Sequence, residues 1–143
     1  MKAAFVGLLL LAGPPLQAQG DRWQRQIDAA LVRATTMATG RGYLSTGQRL
    51  TGALFLDESE YRTFTLAPGK DYLLVAVCDA DCRILNLVLS NPNGDEIAYD
   101  RQEGNAPFVQ ATAARGGEYR LKVIMRGCRR SPCRYGVALY RNS

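Results

Sequence analysis

The sequence predicts a mainly β protein, an antiparallel β-sandwich of about eight strands with a jelly-roll-like path, preceded by one α-helix. Helical spacing of apolar residues occurs in one segment near the N-terminus. Strand-like alternation fills the rest of the chain, and turn residues interrupt it at near-regular intervals. Eight short strands at such spacing are typical of two packed sheets.

The helix is expected from Asp21 to about Thr39. Its apolar residues recur at spacings of three and four: Trp23, Ile27, Ala30, Leu31, Ala34 and Met37. Gly40 and Gly42 follow as stop signals. We expect this helix to dock on the sandwich through its apolar face. The alternative is an exposed helix that binds a partner.

The strands are expected at Leu50–Leu56, Tyr61–Leu66, Tyr72–Cys78, Ile84–Ser90, Glu96–Tyr99, Phe108–Thr112, Tyr119–Met125 and Tyr135–Tyr140. Clusters of Pro, Gly, Asn and Asp separate several of them. Alternation is clear from Leu85 to Leu89 and from Tyr119 to Met125, so one face of each of these strands should enter the core.

Residues 1–18 have the pattern of a secretory signal peptide. Lys2 precedes a short apolar run, and a small-residue cleavage site ends at Ala18. The run is about half of the roughly 20 residues that a membrane span needs, so no span is expected. The predicted organisation is a signal peptide at 1–18, a helix and linker at 19–47, and one sandwich domain at 48–143, in a periplasmic or secreted protein.

The charge of the chain is modestly basic, with 18 Lys and Arg against 13 Asp and Glu. The one dense basic spot is Arg129-Arg130, followed by Arg134. A nucleic-acid binder would normally show a basic stripe, often with interleaved aromatic residues. We therefore expect no nucleic-acid partner.

The four cysteines form two close pairs, Cys78 with Cys82 and Cys128 with Cys133. In an exported chain they predict disulfides, and the intervening turn residues favour local pairing. A disulfide that closes either short loop would stabilise the fold by about 2 kcal/mol, and a disulfide from Cys78 to Cys133 would stabilise it by about 4 kcal/mol. The connectivity of the disulfides therefore stays open at this point. Oxidising surroundings and wider spacings than a zinc knuckle argue against a four-thiolate zinc site.

Several segments resemble bacterial pre-peptidase C-terminal domains. The likeness rests on the turn Pro68-Gly69, an apolar strand and hairpin at Leu87–Gly94, the acidic Asp100, and a Gly-x-Tyr-x-Leu-x-Val strand at Gly117–Val123. It covers roughly Leu50–Tyr140. The resemblance implies a β-sandwich accessory module of secreted hydrolases, associated with secretion, substrate attachment or stability. With no catalytic domain in these 143 residues, we expect a free-standing binding role.

The sequence contains no histidine. This excludes catalysis by a Ser-His-Asp triad or a Cys-His pair, and metal catalysis with histidine ligands. Asp79 and Asp81 are a carboxylate pair that could serve a small hydrolase. Their place in a disulfide-closed turn fits solvated turn residues better, so we expect that the protein is not an enzyme.

Calcium is the one cofactor that the acidic residues suggest, because it takes six to eight oxygen ligands. If two acidic loops lie at one end of the sandwich, the ligands would be Asp79, Asp81, Asn91, Asn93, Asp95 and Asp100. The simpler interpretation is that Asp and Asn are turn residues, since EF-hand spacing is absent.

The sequence therefore predicts a non-catalytic, exported binding or accessory module that recognises a protein or a cell-envelope polymer. The first alternative is a calcium-stabilised structural or adhesive module. The second is a small enzyme that uses Asp79 and Asp81.

Overall fold

A computed structural model describes Gly13 and residues 16–142. The elements in chain order are α1 Leu16–Gly40, β1 Tyr43–Leu54, β2 Ser59–Leu66, β3 Asp71–Cys78, β4 Cys82–Ser90, β5 Glu96–Asp100, β6 Phe108–Thr112, β7 Gly117–Cys128 and β8 Cys133–Asn142. The predicted signal peptide lies outside the described residues, apart from Gly13 and residues 16–18 at the start of α1. Cleavage after Ala18 stays a prediction.

Within the described residues, no helix combines the length and the apolar character that crossing a bilayer requires.

The strands form two antiparallel sheets, sheet A in the order β1–β8–β3–β6 and sheet B in the order β2–β7–β4–β5. The pairs nest inward along the chain, β1 with β8, β2 with β7, β3 with β6 and β4 with β5. This nesting is the jelly-roll arrangement. The predicted fold class, a jelly-roll-like sandwich after one helix, is confirmed.

The main core lies between the two sheets and contains alternate residues of their strands. In β7 every second residue from Tyr119 to Met125 is buried, while Arg120 and Lys122 face away from the core. In β4 the residues Leu85, Leu87 and Leu89 are buried in the same core. One face of each strand enters this core, as predicted, although Asn86 and Val88 on the other face of β4 are also buried. Burial of each large side chain stabilises the fold by about 1.5–3 kcal/mol.

Helix α1 covers the outer face of sheet A as a third layer. Its contact forms a second core of Ile27, Leu31, Ala34, Ala38, Tyr43, Leu73, Val75, Val77, Ala138 and Tyr140. Because β3 is buried on both faces, its sequence is a continuous apolar run without alternation. The helix approaches closely at Gly136, where a Cβ would lie 2.7 Å from Cγ2 of Ile27.

Two element boundaries differ clearly from the prediction. Helix α1 starts at Leu16 and not at Asp21. Strand β1 starts at Tyr43 and not at Leu50, so it runs through the end of the predicted linker. The reason is Gly47, which has a φ of 79° and lies where the register of β1 with β8 shifts. This glycine makes a bulge within one strand, whereas the sequence pattern suggested a break.

Candidate binding site at the disulfide end

The loops of the sandwich gather at two opposite ends. One end, called the disulfide end, carries residues 55–58, 79–81 and 129–132, and the opposite end carries 67–70, 91–95 and 113–116. Strand β4 separates loop 79–81 from loop 91–95. Its nine residues span about 26 Å, so side chains of these two loops cannot share one ligand.

Two disulfides close the loops of the disulfide end. Cys78 bonds Cys82 with a Cα–Cα distance of 5.9 Å, and Cys128 bonds Cys133 with one of 6.0 Å, within the range that a disulfide needs. Cys82 and Cys128 are partners across β4 and β7, so the bridges lie side by side. This is the local pairing that the spacing predicted. All four cysteines are oxidised, which leaves no thiolate for zinc.

Asp79 is buried and holds the disulfide end together. Its Oδ1 accepts hydrogen bonds from the backbone N–H groups of Asp81 (3.1 Å) and Cys82 (3.2 Å), and its Oδ2 accepts one from the N–H of Arg134 (2.7 Å). A carboxylate satisfied in this way by the backbone has a structural part in the loop. Asp79 is therefore poorly suited to the catalytic or calcium-binding role that the sequence suggested for it.

An open cleft of about 770 Å³ lies at the disulfide end, between the start of α1 and the two disulfide loops. Four arginines and a carboxylate line this arginine cleft: Arg22, Arg129, Arg130, Arg134 and Asp81. Arg129 pairs with Asp81 at 3.6 Å. Arg130 and Arg134 have no ion pair within the described part of the chain. The cleft therefore has an excess of positive charge that suits an anionic ligand.

Trp23 forms the apolar wall of the arginine cleft. The guanidinium carbons of Arg22 and Arg134 lie 5.4 Å and 5.5 Å from its ring centroid, within the range of a cation–π contact. The contact brings together a helix residue and a residue of β8. The side-chain amide oxygen of Gln26 accepts a hydrogen bond of 3.1 Å from the N–H of Ala80, which ties α1 to the first disulfide loop.

An apolar loop projects beside the arginine cleft. Phe55 and Leu56 are 53 % and 48 % exposed; the sequence pattern predicted both within a strand, which ends at Leu54 instead. The N–H of Leu56 donates a hydrogen bond of 3.0 Å to Oγ of Ser131, a residue that lines the cleft. The N–H of Phe55 donates one of 2.9 Å to the Glu58 carboxylate. These bonds hold the backbone of the two apolar residues beside the cleft.

The remaining predicted calcium ligands lie elsewhere. In the loop at the opposite end, Oδ1 of Asn91 accepts hydrogen bonds from the N–H groups of Asn93 and Asp95. Asp100, at the end of β5, accepts hydrogen bonds from the N–H groups of Gln102 and Phe108. Among the described residues, no group of three or more His, Cys, Asp or Glu side chains is placed to hold a metal ion. Calcium binding by one loop alone stays a prediction.

A partly buried hydrogen-bond cluster joins the two sheets at Tyr135. Tyr135 of β8 donates a hydrogen bond to Glu60 of β2, and Arg62 donates one of 3.4 Å to the Tyr135 hydroxyl. Burial is the main cause that raises the pKa of Tyr135 far above its usual range, and the hydrogen bond to Glu60 adds to it. The neutral tyrosine is therefore part of the folded structure at all ordinary pH values.

Two solved structures are similar to about two thirds of this chain. A periplasmic lysozyme inhibitor of g-type lysozyme from Aeromonas hydrophila is similar with a TM-score of 0.48 and 16 % identity, over 66 % of this chain and 85 % of the inhibitor. The pre-peptidase C-terminal domain of a collagenase from Bacillus anthracis is similar with a TM-score of 0.49 and 21 % identity, over 64 % of this chain and 87 % of that domain. Both likenesses concern the fold alone.

No protein-family model and no curated protein matches the sequence.

Sequence reasoning recognised part of this site and missed the rest. Arg129, Arg130 and Arg134 stood out as a dense basic spot, but nothing in the pattern tied them to Arg22 and Trp23, more than 100 positions earlier. Docking of the helix brings the two segments together. The exposure of Phe55 and Leu56 could not be predicted from the sequence, because apolar residues at the end of a strand are usually buried in the core.

Proposed function

We propose that the chain is a non-catalytic, exported binding module that holds a protein partner at the disulfide end. The observation that carries the proposal is the exposure of Phe55 and Leu56 in a loop whose backbone is hydrogen-bonded beside the arginine cleft. Aromatic residues and arginine are enriched in protein interfaces, and a few such anchors supply most of the binding energy. A small anion would bind the arginines without contacting the apolar loop, so the loop favours a protein partner.

The charge of the arginine cleft indicates which face of a partner fits. Arg130 and Arg134 have no ion pair among the described residues, and planar guanidinium groups bind carboxylates through two parallel hydrogen bonds. A partner that places Asp or Glu side chains in the cleft, and an apolar pocket over Phe55, would match both features. The proposed partner is therefore a protein with an acidic surface beside an apolar pocket.

Two further points support a non-catalytic role outside the cytosol. The sequence contains no histidine, and Asp79 is engaged by three backbone N–H groups, so the common catalytic arrangements lack a part. The signal-peptide pattern and the two disulfides both favour an oxidising compartment.

A capture experiment with matched variants tests the proposal. The oxidised protein is immobilised and incubated with an envelope fraction of the source cell. We expect the same protein to be retained by wild type and by Leu44→Ser, which changes an equally exposed apolar residue away from the disulfide end. Phe55→Ser and the charge reversal Arg130→Glu should each lower retention about tenfold or more.

Purified partner then allows the affinities to be measured directly. Higher salt should weaken binding of wild type more than binding of Arg130→Glu, because the variant has lost an attractive charge. Equal retention by wild type and the Phe55→Ser and Arg130→Glu variants would show that the partner binds elsewhere and would refute the proposal.

A further inference from the structure

The outer face of sheet B carries a row of side chains that crosses all four strands. Tyr61 lies opposite Lys122, Lys122 lies opposite Val88, and Val88 lies opposite Tyr99. Residues directly opposite each other in a sheet share a face. The row spans three strand spacings, about 14 Å. Helix α1 packs on sheet A, so it does not cover this row.

The two tyrosines at the ends of the row are exposed and flanked by cations. Tyr61 is 53 % and Tyr99 is 61 % exposed. The guanidinium carbon of Arg120 lies 4.2 Å from the ring centroid of Tyr61, and Nζ of Lys122 lies 5.7 Å from it. The guanidinium carbon of Arg101 lies 4.2 Å from the ring centroid of Tyr99. Each ring is thus held in place by a cation and still offers aromatic surface to a ligand.

The charge of this face is positive around the row. Arg101 also forms an ion pair of 2.8 Å with Glu96, whereas Arg120 and Lys122 have no ion pair within the described residues. Glu118, which lies opposite Thr65, is an acidic residue on the same face nearer the end of β7. The cations therefore outnumber the acidic groups beside the tyrosines.

We infer that the outer face of sheet B is a second binding site, and that its ligand is an anionic glycan chain carrying carboxylates. The apolar C–H faces of sugar rings pack on aromatic rings, whose faces are electron-rich. The carboxylates of such a chain pair with Arg120 and Lys122. The bases of single-stranded DNA also stack on aromatic rings, but the exported location proposed above favours an envelope glycan. An acidic peptide without aromatic residues offers no ring to pack on the tyrosines.

The site goes beyond the proposed protein partner, because it uses different residues on a different surface. Together the two surfaces would let the module attach to an envelope polymer while it holds a protein at the disulfide end.

Titration calorimetry of the full chain with polygalacturonate tests the inference. Neutral dextran, polyglutamate and oligothymidylate serve as comparison probes at about 0.15 M salt. We expect saturable binding of polygalacturonate and much weaker binding of the other three. Tyr61→Ala and Tyr99→Ala should each weaken it about tenfold, while Leu44→Ala, which changes an exposed apolar residue of sheet A, should leave it unchanged.

The inference is overturned if polygalacturonate does not bind, if polyglutamate or oligothymidylate binds as tightly, or if the tyrosine variants bind like wild type.

Discussion

The carboxylate of Asp79, in the loop after β3, accepts a hydrogen bond of 2.7 Å from the backbone N–H of Arg134 in β8. This bond links the two disulfide loops, because Asp79 lies between Cys78 and Cys82 and Arg134 follows Cys133. The same side chain also accepts hydrogen bonds from two backbone N–H groups of its own loop. One buried carboxylate therefore fixes both loops that line the arginine cleft.

Asp79→Ala should lower the free energy of unfolding by about 3 kcal/mol. The substitution removes three hydrogen bonds to a charged acceptor and leaves the N–H groups of Asp81 and Arg134 without this partner, while the N–H of Cys82 keeps the backbone carbonyl of residue 79. Urea unfolding measures the change. Asp81→Ala is the matched control, since it removes an ion pair with the exposed side chain of Arg129 and should cost about 1 kcal/mol or less. Equal losses in both variants would contradict the part assigned to Asp79.

The disulfide pairing predicts the peptides that trypsin releases from the unreduced protein. Cys78 and Cys82 lie in one peptide that ends at Arg83, which should appear as a single chain lighter by two hydrogens. Cutting after Arg129 and Arg130 should leave Cys128 and Cys133 as two short peptides joined by a bond. Mass spectrometry before and after reduction checks this, and a linked species that contains both Cys78 and Cys133 would refute it.

The sandwich could be predicted from the sequence because burial imposes the alternation that the pattern displays. Tyr119 to Met125 of β7 alternate in sequence, and the same residues alternate in the structure between core and outer face. The start of β1 could not be predicted, since a glycine such as Gly47 has the same sequence signature in a turn between elements and in a bulge within one strand.

The candidate sites were less predictable because they depend on which segments meet. The composite calcium site assumed that loops 79–81 and 91–95 lie at one end, but the length of β4 places them at opposite ends. Predicting the row from Tyr61 to Tyr99 requires knowledge of the strand order in sheet B and of the register of three strand pairs. Neither is contained in the local spacing of residues.

Gly136→Ala should destabilise the contact between α1 and sheet A by about 1–3 kcal/mol, because the new Cβ would lie 2.7 Å from Cγ2 of Ile27. Ile27→Ala removes that carbon but also opens a cavity. The double variant should therefore be more stable than the sum of the two single losses predicts. Thermal unfolding of all four proteins completes the cycle. Additive losses would show that the helix does not pack on Gly136 in this way.

Ionisation of the Tyr135 hydroxyl should make the free energy of unfolding depend on pH in alkaline solution. The folded state raises its pKa above the ordinary value of 10.0, mainly through burial, so the folded protein keeps this proton longer than the unfolded chain does. The stabilisation is complete below pH 10 and is lost as the pH rises above it. Tyr135→Phe lacks the hydrogen bond to Glu60 and should be about 1–2 kcal/mol less stable than wild type at pH 8.

Above pH 10 the difference between the two proteins should shrink, by up to about 1.4 kcal/mol per pH unit. The reason is that the unfolded wild-type chain gains stability by ionising Tyr135, and the variant cannot. Urea unfolding at pH 8, 10 and 11 measures the difference, with Tyr99→Phe, at an exposed ring, as the control for loss of a phenol. A difference that stays constant across this range would show that Tyr135 does not remain protonated in the fold.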